Sequence, residues 1–528
     1  MAFFGLDVAS RGLLASRNAL NVVNQNITNS TTKGYSRKVA TIRASNPAPA
    51  SGAGMLGTGS ELVSVDRIRD DYLDTKVWGE QSVTSEWTNK SEYLQQISDI
   101  MCGTDVLNAG DAVNEFFTAY SKYAKDPSDT NRVVFQQAGE DFVNSFNSMA
   151  TDLEELQNTL NIELKSQVNE INSLADRIAR MNKEIYDLEV RGQDANTLRD
   201  ERALLIEELS QFADIKYEER NCGKLQNGKD DIRVSISIGG MTLVNHFDTA
   251  KLELVERGAK ANPEDIDGLY DIKWDTGNNF NVNSGSLKAI LDVRDGTGNS
   301  IDNFTKGVPY YTKQINEFAK TFVKAFNEGI KENDITVEKI SMGHADGYVS
   351  NSKEGDALPY IRFFTMDNMS SAEFAVDADG NPIDENDLEA RNALYENITA
   401  KNLSLSKDVI ESIGNIFSTK NIGDIDDTGT LYDLISFRDD KSMFEQGNVE
   451  DVISSWISTV GSQVQNSEKL QENHEATLQQ LQNNRDAYSG VSLSEEMTEM
   501  LKYQQLYQSC AKMINVMSGI YDTLINAI

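Results

Sequence analysis

The chain has 528 residues, with 49 Lys and Arg against 83 Asp and Glu, for a formal charge of −34. That length exceeds one ordinary core and predicts roughly two to four domains. The acidity argues against a general nucleic-acid binder, whose phosphates would be repelled, and no run of about 18 apolar residues is present to span a membrane.

The first segment reads as a helix. Leu6, Ala9, Leu13, Ser16, Leu20, Val23 and Ile27 alternate three and four apart, the spacing of a coiled-coil seam, with only Ser16 breaking the apolar rule. Asp7, Arg11 and Arg17 interrupt any signal-peptide core, so the sequence predicts a cytoplasmic protein or export by a route that reads no cleaved signal. The helix is expected to stop near Asn29–Gly34. Residues 44–60, with Pro47, Pro49 and four glycines, read as a loop or hairpin, and Leu62–Ile68 as a short strand.

Helical patterns then run from about Tyr72, with breaks near Gly103–Gly110 and Pro127. No proline lies between residues 128 and 262, which permits a very long helix from about Asn131. Heptad spacing holds from Phe142 to Leu160, slips at Leu164 and Val168 as in a stutter, and resumes from Ile171 to Leu188. A break at Gly192-Gln193-Asp194 precedes Leu198–Phe212. Period-two alternation at Ile232, Val234, Ile236 and Ile238 ends in Gly239-Gly240, a hairpin signal. Leu252/Leu254 and Ile272/Trp274 read as further strands. Helix returns from about Asn303 to Phe326, a polar stretch reaches about Glu389, and helical patterns resume from Leu394. Val452–Leu481 is long and amphipathic.

The last segment mirrors the first. Tyr503, Leu506, Cys510, Met513, Met517, Ile520, Leu524 and Ala527 form one stripe; Met500, Tyr507, Ala511, Ile514, Tyr521, Ile525 and Ile528 lie beside it. A face this wide must be covered, and the N-terminal stripe is the natural partner. Residues 1–43 carry six basic and one acidic side chain, residues 491–528 two basic and four acidic, so charge also favours the pairing. The fold class expected is mostly α with a β-rich insert. Residues 1–45 and 485–528 form an inner pair of terminal helices; 46–212, 303–330 and 391–484 form a helical bundle; 213–302 form a β-rich domain; 331–390 form a variable outer insert.

Chemistry-bearing motifs are weak. Gly52-Ala53-Gly54-Met55-Leu56-Gly57 fits GxGxxG but follows Asn46-Pro47-Ala48-Pro49 rather than a buried strand. Asp377-Ala378-Asp379-Gly380-Asn381-Pro382 starts like a calcium loop, yet Pro382 and Leu388 stand where Gly and Glu are needed. His246, His344 and His474 lie in separate segments, and Cys102, Cys222 and Cys510, read as buried inert thiols, form no CxxC. No catalytic, cofactor or metal site is expected.

Asn26-Ile27-Thr28-Asn29 followed by Lys33-Gly34-Tyr35-Ser36-Arg37 resembles the N-terminal signature of bacterial flagellar axial proteins. Ser489-Gly490-Val491-Ser492-Leu493-Ser494-Glu495-Glu496-Met497, with Tyr503-Gln504-Gln505-Leu506-Tyr507-Gln508, resembles its C-terminal partner. Gly34-Tyr35-Ser36-Arg37, and Leu198–Leu209 ahead of a β-rich region, are similar to the hook-associated members, which join hook to filament. The resemblance implies a non-enzymatic protein, exported unfolded by the flagellar type III apparatus and assembled as a junction ring. Implied partners are hook protein, the next junction protein, further copies of the chain, and an export chaperone holding the C-terminal helix. Assembly would use Leu6, Leu13, Leu20, Val23, Ile27, Gly34, Tyr35, Tyr503, Leu506, Tyr507, Met513, Ile514, Met517, Ile520, Tyr521 and Leu524. The ends are expected to be poorly ordered alone and to fold together on assembly. Hook protein, flagellin, a cytoplasmic coiled-coil scaffold and a hydrolytic centre grafted into 331–390 stay open as alternatives at this point.

Overall fold

The computed structural model describes residues 4–50, 54–103, 108–299, 303–329, 342–350, 352–353, 356–377, 379–385, 387–419, 429–441 and 443–526. Helix α1 (Phe4–Thr28) leads into an antiparallel hairpin. Strands β1 (Lys38–Ala44) and β4 (Ser60–Arg67) pair with a bulge at Thr41/Ile42, and β2 (Ala48–Ala50) pairs with β3 (Gly54–Leu56) beyond them. Asp70 caps α2 (Asp71–Cys102) by accepting the Tyr72 N–H, and Asn108 caps α3 (Ala109–Lys125) the same way at Asp111.

Helix α4 (Asp129–Val190) has 62 residues, a length of about 90 Å at the usual rise. Its heptad residues from Phe142 to Ile178 are buried through the stutter, Leu164 and Val168 included. The turn at 191–195 separates it from α5 (Asn196–Phe212), where the Gly192 break is expected.

Strands β5 (Ile215–Lys224), β6 (Asp230–Ile238), β7 (Met241–Asn245) and β8 (Asp248–Thr249) form one antiparallel sheet in that order, and β9 (Leu252–Glu256) pairs with β10 (Tyr270–Trp274). Carboxamides along α4 fasten this region. Gln157 Oε1 accepts the Ile266 N–H, Asn161 Oδ1 the Tyr270 N–H, and Asn172 Oδ1 the Leu252 N–H, while Asn182 Nδ2 donates to the His246 carbonyl. Trp274 is buried beside Phe280. Helices α6 (Ser286–Arg294) and α7 (Val308–Glu328) return the chain to the bundle, α7 carrying Pro309 in its first turn, where no backbone donor is lost.

Short elements follow: β11 (Tyr348–Val349), β12 (Phe364–Met366), α8 (Ser371–Phe374), α9 (Leu388–Ala393), β13 (Leu403–Leu405), α10 (Lys407–Glu411), β14 (Phe417–Thr419) and α11 (Gly429–Ser436). β11 pairs with β14 and β12 with β13. The described part of 331–390 departs from the expected outer position. Phe363 and Phe364 are fully buried, and their rings join Phe116, Phe135, Phe142, Phe322 and Phe326, with Phe135 and Phe363 stacked 4.6 Å apart. Burying apolar rings outweighs the polar character of the flanking sequence. Glu328, at the end of α7, accepts from Arg362 Nε at 2.8 Å and Tyr395 Oη at 2.6 Å and also holds Arg391, so a buried ion network ties this segment to the bundle. His344 is buried between Phe326, Phe363 and Phe417.

Helix α12 (Val449–Ser489), capped by Asn448, runs antiparallel to α2, so that His474 meets Glu80 and Arg485 approaches Asp74. Trp456 packs edge-on to Phe318, and Trp78 on α2 edge-on to Tyr217. Helix α13 (Leu493–Asn526) ends the described chain and lies against α1.

Candidate assembly interface

Helices α1 and α13 pair antiparallel, with small side chains on the α1 side of the contact. A methyl added at Gly5 would lie 2.8 Å from Met517 Cε, and one at Gly12 would lie 3.0 Å from Cys510 Sγ. Seven residues on α1 therefore match seven on α13, and a further fourteen bring Asn26 opposite Glu496. The buried α1 residues are Ala9, Ala15, Ser16, Ala19, Val22, Val23 and Asn26. Ser16, the apparent defect in the stripe, sits in the seam and donates Oγ–H to the Gly12 carbonyl at 2.8 Å.

The predicted interface residues divide accordingly. Val23 is buried; Leu6, Leu13, Leu20 and Ile27 are half-buried. On α13, Tyr503, Tyr507, Ile514, Met517 and Tyr521 are half-buried, while Leu506, Met513 and Ile520 are exposed. The Leu524 side chain lies outside the described residues. Exposed Met497, Leu501, Val516 and Ile525 enlarge the apolar face of α13. Much apolar surface thus remains open to solvent after the two ends have met.

Gly34 and Tyr35 lie at the joint between this pair and the long bundle. Gly34 has φ +78°, and a methyl there would fall 2.5 Å from the Leu204 side chain, so the turn needs glycine twice over. The Asn26 carboxamide is saturated: Nδ2 donates to the Lys38 carbonyl at 2.8 Å and to Glu496 Oε2 at 3.0 Å, while Oδ1 accepts the Lys38 N–H at 3.0 Å and Tyr35 Oη–H at 2.9 Å. Burial, with the nearby Asp200 and Glu496 charges, pushes the Tyr35 phenol up to about 12. Arg37 Nε donates to Glu496 Oε1 at 2.7 Å, Arg37 Nη1 to Glu495 at 3.0 Å, and the Arg37 N–H to the Ser489 carbonyl at 2.9 Å.

Behind this cluster, Arg67 pairs with Asp200, Arg69 with Asp74, and Arg485 with Glu207. A polar cavity of about 920 Å³ opens between the 30–37 loop, α5 and the α12–α13 turn. The three segments Asn26–Arg37, Leu198–Leu209 and Ser489–Met497 thus meet at one place. Sequence reading quoted Asn26, Arg37 and Glu496 within motifs without assigning them contacts; the signal available was their polarity at the edge of apolar stripes.

Among the described residues no group of three or more His, Cys, Asp and Glu could hold a metal ion. The Asp377 carboxylate accepts the N–H groups of Asp379 and Asn381, closing a turn on itself. Part of the GxGxxG match lies outside the described residues. The cysteines are free, and none is buried: Cys102 and Cys510 are half-buried, and Cys222 is exposed on β5.

Comparison with known proteins gives a consistent set. Residues 94–338 match the flagellar hook-associated protein FlgK helical domain, and residues 482–527 match the flagellar basal body rod FlgEFG protein C-terminal model. The chain is 26% identical to flagellar hook-associated protein 1 of Bacillus subtilis, covering 99% of this chain and 98% of the relative. It is 24% identical to the Escherichia coli protein of the same name, covering 99% of each. The structure of the flagellar hook junction protein FlgK from Burkholderia pseudomallei shares the fold, with a TM-score of 0.52 and 12% identity over 79% of this chain and 100% of that one.

Proposed function

We propose that this chain is a member of the flagellar hook-associated protein 1 family, structural proteins of the bacterial flagellum, and a subunit of the hook–filament junction, a reading supported by the match of residues 94–338 and by relatives 26% and 24% identical over 99% of the chain. Residues 1–45 with 485–528 form its inner assembly domain, the mostly helical segments 46–212, 303–330 and 391–484, with the β2–β4, β13 and β14 strands among them, its middle bundle, 213–302 a β-rich unit and 331–390 a variable insert. The subunit is exported unfolded through the flagellar type III apparatus, with a chaperone covering the C-terminal helix beforehand. It closes into a ring with hook protein on one side and the next junction protein on the other.

The observation that carries this reading is the division of side chains on the terminal helices. Small residues of α1 take the half-buried side chains of α13 such as Met517, while Leu506, Met513, Val516, Ile520 and Ile525 stay exposed. Each such side chain, about half exposed in the single chain, would gain roughly half of the full-burial value, about 1 kcal/mol, on being covered by a neighbour. The test is Ile520→Asp, at a site half exposed in the single chain. Purified variant added to isolated hooks should leave its bundle folded and fail to build junctions. Junctions of normal strength from this variant would refute assembly through this face.

A further inference from the structure

The terminal pair has an uneven distribution of contacts. Along the seam the buried residues are mostly Ala, Ser and Val, with Gly5 and Gly12 at the closest approaches. Such residues bury little apolar area themselves, and the larger α13 side chains facing them, Tyr507, Ile514 and Met517 among them, stay only half-buried, so each turn of seam adds limited hydrophobic stabilisation. At the base the contacts are polar, buried and complete. Asn26 is 1% exposed and Glu496 2% exposed, and the Asn26 carboxamide bridges both backbone groups of Lys38, as a neighbouring strand would. Starting a helix is costly because several residues must be fixed before the first hydrogen bond is repaid. Here the bundle already holds β1 and the end of α12 side by side, joined by the Arg37–Ser489 backbone bond. The loop-closure cost of bringing residues 26 and 496 together is thereby met before either terminal helix forms.

We propose that the Asn26–Tyr35–Arg37–Glu496 cluster is a nucleating clamp. It fixes the register of α1 against α13 and is the end from which the pair zips outward toward Gly5 and Asn526. Only contacts within one chain enter this argument, so it stands or falls separately from the assembly reading. The clamp also modifies the expectation that the ends are poorly ordered in a lone subunit: order is greatest at the base and fades outward.

Hydrogen exchange on the full-length free protein tests this. Wild-type protection is expected to be highest at Val22–Ile27 and Glu496–Met500 and to fall toward both tips. Asn26→Asp is isosteric but removes the donor from the Lys38 carbonyl and from Glu496 Oε2 and sets a carboxylate against both. It should lower protection along the whole of both helices by about tenfold or more, the size expected for losing hydrogen bonds to a charged group, with α4 and α7 unchanged. Ala9→Asp, in the distal seam, should unprotect only the outer turns. The proposal is overturned if the free wild-type protein shows no protection at the base. It is equally overturned if the tips are the better protected end, if Asn26→Asp leaves the outer turns as protected as wild type, or if Ala9→Asp releases the base.

Discussion

His344 makes the stability of the bundle depend on pH in a calculable way. Its ring is buried, Nδ1–H donates to the Ile361 carbonyl at 2.8 Å, and Nε2 accepts the Phe417 N–H at 3.0 Å. Both nitrogens are satisfied in the neutral form, and protonating Nε2 would remove the acceptor that Phe417 needs. Burial pushes its pKa from 6.5 down to about 4, opposed weakly by the bond to Ile361. In the unfolded chain the ring protonates near 6.5, so between pH 6.5 and 4 the unfolded state binds more protons than the folded state. Stability is therefore fully present above about pH 6.5, falls as the pH drops through that window, and stops falling below about 4. The loss approaches 1.4 kcal/mol per pH unit and totals about 3 kcal/mol. The chain has three histidines, so labelling histidine Cε1 with carbon-13 gives three signals, and His344→Gln identifies the relevant one. That signal should stay neutral to about pH 4. The wild-type stability lost between pH 6.5 and 4, measured by denaturant titration, should exceed the loss in His344→Gln by about 3 kcal/mol. A His344 signal titrating near 6.5, or equal losses in the two proteins, would refute the burial argument.

Glu328→Ala should cost about 3–5 kcal/mol, because it leaves the buried Arg362 and Arg391 guanidiniums without their shared carboxylate; a shift in denaturant midpoint measures it. Phe363→Ala should cost about 3–5 kcal/mol through the cavity opened among the rings, and deleting 331–390 outright should expose that core and yield aggregated protein by light scattering. Gly34→Ala should destabilise the joint by more than about 1 kcal/mol, since φ +78° and the Leu204 side chain both oppose a β-carbon. Faster hydrogen exchange at residues 30–38 with an unchanged β5–β8 sheet is the expected signature.

The long helices were legible because their cause is local. Absence of proline, heptads from Phe142 to Ile185 and the Gly192 break together specify α4 and α5. The β6 strand was equally plain from Val234, Ile236 and Ile238, all buried on one face. Strand β1 was not, because Lys38-Val39-Ala40-Thr41-Ile42-Arg43-Ala44 is charged at both ends and its partner lies beyond a loop. The seam of α1 was read by its leucines, yet glycine, alanine and serine do the packing there; small residues give a weak hydrophobic signal however closely they are approached. Phe363-Phe364 was hidden for another reason: two consecutive rings have no period, and their partners on α3, α4 and α7 are distant in the chain. Asn26 and Glu496 meet across 470 residues, a contact no local pattern encodes.

The tryptophans carry an optical consequence. All four lie between residues 78 and 456, with Trp78 and Trp456 in the bundle and Trp274 at the end of β10 in the β-rich unit. Indole emission therefore reports on the middle of the molecule and is blind to α1 and α13. A subunit whose ends have melted would keep a native emission maximum, and a fluorescence unfolding curve would assign it full stability. Tyr507→Trp, on a half-buried position of α13, would give the dark end of the molecule its own colour.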